Sequence, residues 1–143
     1  MKIEPYLFFD GNAEEALTFY EQALGAKIEG KMRYADSPHP VPPEHMPPGG
    51  PQKLLHASLL IGDQRLMMSD GVPLEGGGFR GFSLTLQFPA ELEARRTFDA
   101  LAGGGRVLMP LGQTFFSPCY GMLLDRFGVQ WMVMVVPPSQ PQS

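Results

Sequence analysis

The sequence predicts an α+β fold made of two tandem βαβββ modules. Three observations carry this reading. Short β-prone runs outnumber the two helical stripes. Glycine and proline, 17 and 15 of 143 residues, cut the chain into short elements. The order strand, helix, strand, strand, strand occurs twice, with a Gly-rich stretch between the copies.

Residues 3–9, Ile-Glu-Pro-Tyr-Leu-Phe-Phe, are apolar and β-prone and read as a strand. Asp10-Gly11-Asn12 is turn chemistry, with Asn12 placed to cap a helix and Glu15 at capping-box spacing. Ala13, Ala16, Leu17, Tyr20 and Leu24 then recur at threes and fours as one apolar stripe. Gly25 suits the left-handed position that ends a helix. Residues 26–34 read as a strand. Residues 36–52 hold seven prolines and read as a long loop over the surface or over a pocket mouth, because proline lacks the backbone donor a helix or inner strand needs. Residues 54–61 and 64–69 form a hairpin across Gly62-Asp63. The first module therefore spans residues 1–70, followed by a Gly-rich linker at 71–80.

In the second module, residues 81–137, Phe82, Leu84, Leu86 and Phe88 alternate with Ser83, Thr85 and Gln87 as in a strand with two unlike faces. Pro89 is placed to open a helix, Glu91 and Arg95 form an i,i+4 pair, and Gly103-Gly104-Gly105 ends it. Residues 106–110 read as a strand, and 120–125 with 129–136 as a hairpin across Arg126-Phe127-Gly128. Residues 138–143 read as a flexible tail. An offset of 79 lays Leu7 on Leu86, Phe9 on Phe88, Phe19 on Phe98 and Gly25 on Gly104; the final strands match at an offset of 66.

Composition excludes several classes. A net charge of −4 and a pI near 5.3 leave no basic stripe for nucleic acid. The apolar runs fall short of the ~18 residues a membrane helix needs. The first residues show no apolar signal segment, and a lone Cys119 excludes a disulfide framework or a Cys-rich zinc site. The expectation is a soluble, cytoplasmic protein. Neither glycine run opens a helix after a strand, so the dinucleotide-type turn of a methyl-donor site is missing, as is a phosphate-cradling loop ending in Gly-Lys-Ser/Thr.

A set of motifs runs through nearly the whole chain. They are Pro5-Tyr6-Leu7-Phe8-Phe9, Gly11-Asn12-Ala13-Glu14-Glu15-Ala16, Phe19-Tyr20, Leu24-Gly25-Ala26, His56-Ala57 and Met67-Met68-Ser69-Asp70. Phe115-Phe116, Gly121, Asp125-Arg126-Phe127-Gly128-Val129 and Trp131-Met132 complete the set. With the duplicated pattern they resemble the vicinal-oxygen-chelate superfamily of glyoxalases, extradiol dioxygenases and bleomycin-resistance proteins. Within it they look like the PhnB-like group. The resemblance implies curled, cup-like mixed sheets around a small-molecule site, often completed by a homodimer. It also implies one divalent metal held by His and Glu of the first and last strands of each module.

The residues argue against that metal. The four strands concerned supply at best Glu4, whereas a divalent ion wants three or four converging His, Asp or Glu ligands. His39, Glu44 and His45 lie in the Pro-rich loop, a poor preorganised frame. The expectation is no metal and no cofactor. His56, in an apolar strand, is the candidate catalytic residue, as a proton-transfer group or a hydrogen-bonding contact. Gln113 stands where the PhnB-like group often has Glu; its amide cannot ionise but hydrogen-bonds in both senses. Gln113, Phe115, Tyr120 and Trp131 are the candidate ligand-binding residues, because aromatic walls with few polar groups suit small organic molecules. Cys119 has no readable base beside it and is left out of the site. The reading is a protein that binds a small organic molecule, by sequestration or a simple acid–base reaction. The alternative is a metal-dependent, glyoxalase-like lyase or transferase. The partners expected are that ligand and a second copy of the chain, with no nucleic acid and no membrane.

Overall fold

Strand pairing closes each βαβββ segment on itself. The computed structural model describes residues 1–71 and 77–137; half of the expected linker (72–76) and the expected tail (138–143) lie outside them. The chain divides into two units, Met1–Gly78 and Phe79–Ser143. The first holds β1 (Tyr6–Phe8), α1 (Ala13–Leu24), β2 (Lys27–Arg33), β3 (Leu54–Ile61) and β4 (Gln64–Ser69). Its four-stranded sheet has the order β1-β4-β3-β2, with β1 parallel to β4 and the other pairs antiparallel. The second holds β5 (Leu84–Phe88), α2 (Glu91–Ala102), β6 (Arg106–Gly112), β7 (Tyr120–Leu124) and β8 (Gln130–Val135). Its order, β5-β8-β7-β6, is the same topology. This is the duplicated α+β architecture expected from the sequence.

Each sheet buries one face under one helix. In the first unit Leu7, Phe9, Ala57, Leu59, Leu66 and Met68 are buried with the α1 stripe Ala13, Ala16, Leu17 and Tyr20. In the second, Leu123, Trp131, Val133 and Val135 are buried with Ala94, Phe98 and Leu101 of α2. Gly121 lies under Phe98; a Cβ there would stand 2.9 Å from the Phe98 ring, so only glycine lets the ring seat.

The structure corrects the repeat in detail. β1 and β5 keep the offset of 79, but Tyr6 pairs with Met67 and Thr85 with Met132, so the last strands match at 65 rather than 66. The helices match at 78, buried Ala16 and Tyr20 corresponding to Ala94 and Phe98. A one-residue slip in a strand exchanges its faces, so the offset of 66 would lay buried Leu66 and Met68 on the half-buried Met132 and Met134. The difference sits in the hairpin loops, two residues at Gly62-Asp63 against five at 125–129.

The helix starts also differ from expectation. Asn12 precedes α1 but its side chain makes no capping bond. The Asp70 carboxylate takes that role: Oδ1 accepts from Ala13 N at 2.9 Å and Oδ2 from Leu54 N at 3.1 Å. A carboxylate at this end meets both the free N–H groups and the positive end of the helix dipole. Pro89 does not open α2. Ala90 holds extended backbone and Glu91 is the first helical residue. Gly25 does end α1 in the left-handed conformation, φ 60°.

Asp125 organises the second unit's hairpin. Its Oδ1 accepts from Phe127 N (2.8 Å) and Val129 N (3.0 Å), and its Oδ2 from the Trp131 indole (2.8 Å). The Pro-rich segment is a loop broken by 3-10 turns at Pro43–His45 and Gly50–Gln52. Lys53 Nζ ties the end of this segment to Gly11 O at 2.7 Å. Arg33 and Lys31 of β2 clasp Glu14 of α1 at 2.6 and 2.8 Å.

Two outcomes follow. Asp70→Ala and Asp125→Ala each strand buried donors and should cost about 2–4 kcal/mol, read as a lowered urea midpoint with an unchanged slope. Hydrogen bonds from Arg33, then Lys31, hold the Glu14 carboxyl down at about 2 from an ordinary 4.5. Its contribution is therefore present above about pH 4.5 and fades as the pH falls toward about 2. The side chain is 40% exposed, which limits the effect to ~1 kcal/mol or less. The stability gap between wild type and Glu14→Gln should close across that range in acid titration of the urea midpoint.

Candidate functional site

Strand alternation leaves a second set of side chains on the face of the first sheet away from α1. From β1 come Tyr6 and Phe8, 37% and 48% exposed, flanking buried Leu7. From β4 come Arg65, Met67 and Ser69. A register shift between Met32 and Arg33 in the β2–β3 pairing lets both Leu54 and Ala57 turn inward, and so turns His56 and Ser58 outward. Met32 pairs with His56, and Met67 lies between Tyr6 and Ser58.

This face has two ends. At one, Arg65 binds Glu29 at 2.7 Å and Glu4 at 3.3 Å, and Ser58 Oγ donates to Glu29 at 2.8 Å. Hydrogen bonds from Arg65, then Ser58, hold the Glu29 carboxyl at about 2. The charges at this end are matched internally. At the other end the Tyr6 hydroxyl and His56 Nδ1 lie 2.9 Å apart, and the Tyr6 ring stacks on Phe8 at 5.0 Å between centroids. Ser69, 3% exposed, accepts from Gly71 N at 2.7 Å. Burial pushes Tyr6 and Tyr34 above the ordinary phenol value, so both stay protonated at neutral pH. His56 is thus half-buried, seated among an aromatic ring pair and two methionines.

The other expected residues lie in the second unit. Gln113 and Phe115 come together with Phe116, Pro118 and Pro137 around an open depression of about 510 Å³. Phe115 is fully exposed at its rim, and Phe116 packs edge-on against Tyr120 at 4.9 Å. Tyr120 is 8% exposed and lies beneath that wall. Trp131 requires a correction. It is 1% exposed, on the α2 side of β8, with its indole bonded to Asp125. A ring closed into the core under a helix offers no wall to a ligand. Cys119 is buried, and desolvation raises its thiol pKa, the reverse of an activated nucleophile.

The first and last strands of each unit were tested against the divalent metal that the resemblance implies. Away from the helices they present Tyr6 and Phe8, Met67 and Ser69, Thr85 and Gln87, and Met132 and Met134. Hydroxyls, an amide and thioethers are not a donor set for a catalytic divalent ion. One of these thioethers already takes another contact: Ser83 Oγ lies 2.8 Å from Met132 Sδ. Among the described residues no three His, Cys, Asp or Glu side chains converge.

Sequence reasoning missed Tyr6. Tyr6 was legible as an outward-facing residue of the first strand. Its meeting with His56 depends on the parallel β1–β4 pairing, for which no local signal exists.

With this geometry in place, comparison with known proteins defines the class. The profile of the Glyoxalase/Bleomycin resistance protein/Dioxygenase superfamily matches residues 2–133, and the chain belongs to that superfamily. Within it the chain is PhnB-like. It is 34% identical to the protein YjdN of Escherichia coli K12, over 95% of this chain and 96% of that protein. Its fold matches the crystal structure of PA1353 from Pseudomonas aeruginosa with a TM-score of 0.83 at 42% identity, covering 95% and 98% of the two chains. It matches the PhnB protein of Bacillus cereus with a TM-score of 0.77 at 32% identity, covering 95% and 100%. No helix among the described residues is long and apolar enough to cross a membrane.

The different burial of two aromatics is testable. Phe115→Ala should leave stability within ~0.5 kcal/mol of wild type, while Trp131→Ala should cost about 3–5 kcal/mol. Urea denaturation of both variants measures this.

Proposed function

We propose that this chain binds a small organic molecule on the open face of its first sheet, and that sequestration of that molecule is its activity. The observation that supports this is the Tyr6–His56 pair at 2.9 Å, set beside exposed Phe8 and Met32 and half-buried Met67. One polar contact within an aromatic and thioether surround is how proteins orient small apolar-bodied ligands. Gln113 and Phe115 are proposed as a separate ligand-contact pair within the second unit, offering an amide and an unpacked ring. Tyr120 supports that wall from beneath. The donor chemistry at the strand positions favours binding without a divalent metal. Membership of a superfamily whose members bind small molecules is consistent with this reading.

A second copy of the chain is the proposed protein partner. Val107, Leu108 and Met109 lie on β6, an edge strand, and are 44%, 41% and 45% exposed. Apolar side chains in a row on an open edge mark an association surface.

Two measurements test these proposals. In a ligand-observed NMR screen of aromatic fragments, hits should lose affinity about 10-fold or more in His56→Ala, near 1.4 kcal/mol. The variant's urea midpoint should stay close to wild type; equal affinity in the two proteins would remove His56 from the site. Sedimentation equilibrium should give a dimer that Leu108→Glu weakens, and a monomeric wild type would sink the second proposal.

A further inference from the structure

We infer that the Tyr6 hydroxyl, by donating to Nδ1, fixes His56 as a hydrogen-bond donor at Nε2, so that the ligand of this face presents an acceptor oxygen or nitrogen. This rests on the binding reading above and names the class of ligand.

The direction follows from counting protons. The Tyr6 phenol has one proton to place, and the acceptor at hand is His56 Nδ1, 2.9 Å away. A phenol is a strong donor and a weak acceptor, and an imidazole lone pair is a strong acceptor. The matched arrangement is therefore O–H donating to Nδ1, which leaves the ring proton on Nε2. Isolated imidazole side chains prefer the same tautomer. Among the described residues Nε2 has no hydrogen-bond partner, and His56 is half-buried, so this N–H is a donor waiting for an acceptor.

The consequence is selective. An aromatic carboxylate, ketone or amide satisfies both the Nε2–H and the ring surface of Phe8. A ligand that offers only N–H donors would meet an N–H and be refused. It also means that His56 in its resting neutral form does not offer a free lone pair to a ligand. Tyr6 is a positioning residue: it sets which nitrogen carries the proton.

The test is long-range ¹H–¹⁵N spectroscopy of the full chain labelled in histidine, at about pH 8, where a histidine of ordinary pKa is neutral. His56→Gln identifies the His56 signals against those of His39 and His45. Wild type should show His56 as the Nε2–H tautomer. Tyr6→Phe keeps the ring, removes the hydroxyl and should raise the share of Nδ1–H. A wild-type Nδ1–H tautomer overturns the inference, as does a tautomer unchanged in a folded Tyr6→Phe. Benzoate and benzylamine then share a ring and differ in polarity. Benzoate should shift the Nε2–H signal and benzylamine should not; the opposite pattern overturns the ligand class. Failure of the underlying binding reading looks different. The tautomer would be as described, yet neither compound, nor any fragment in the screen above, would move the His56 signals.

Discussion

The first unit depends on the carboxylate of Asp70. Its two oxygens hold the first N–H of α1 and the first N–H of β3, while its own amide donates to Leu54 O at 2.8 Å. One side chain at the end of β4 thereby joins the helix to two strands of the sheet. It does so at 2% exposure, where an unsatisfied donor is costly. The same anchoring sets the end of β4, the strand whose Met67 pairs with Tyr6 of β1.

The second unit solves the same problem with a different carboxylate. Asp125 closes its hairpin loop on two backbone amides and on the Trp131 indole. The topology is identical, yet the open faces have diverged. The first sheet carries a histidine, two aromatic rings and an internally neutralised Arg–Glu network. The second carries methionine sulfurs contacted by hydroxyl and amide groups. A thioether donates to soft partners and a carboxylate to hard ones, so the exchange of ligand types along these strands is a change in what the faces can recognise.

Much of this was legible in the chain, and the limits have physical causes. The α1 stripe, Gly25, the Gly62-Asp63 hairpin and the Glu91–Arg95 pair were readable because each depends on neighbours within a few residues. The cap of α1 was misread. Asn12 has the right chemistry in the right place, but a carboxylate 57 residues beyond Ala13 serves instead. The repeat offset was misread by one because a loop insertion is invisible to composition, while in a strand it exchanges faces. In the site, Gln113 and Phe115 were readable as neighbours in sequence. Trp131 was not readable as core, because a tryptophan on an alternating strand fits either face.

The sequence by itself determined the element order, the duplication and the superfamily, since these rest on periodicity, turn chemistry and motifs carried within short windows. It determined as well that hard ligands are scarce on the strands. Only the tertiary structure decided which face each strand presents and which residues meet across it. The pairing of Tyr6 with His56 spans 50 residues and depends on the parallel pairing of β1 with β4. Contacts of that kind form only when the sheet assembles, because no local interaction along the chain encodes which distant strand will lie alongside.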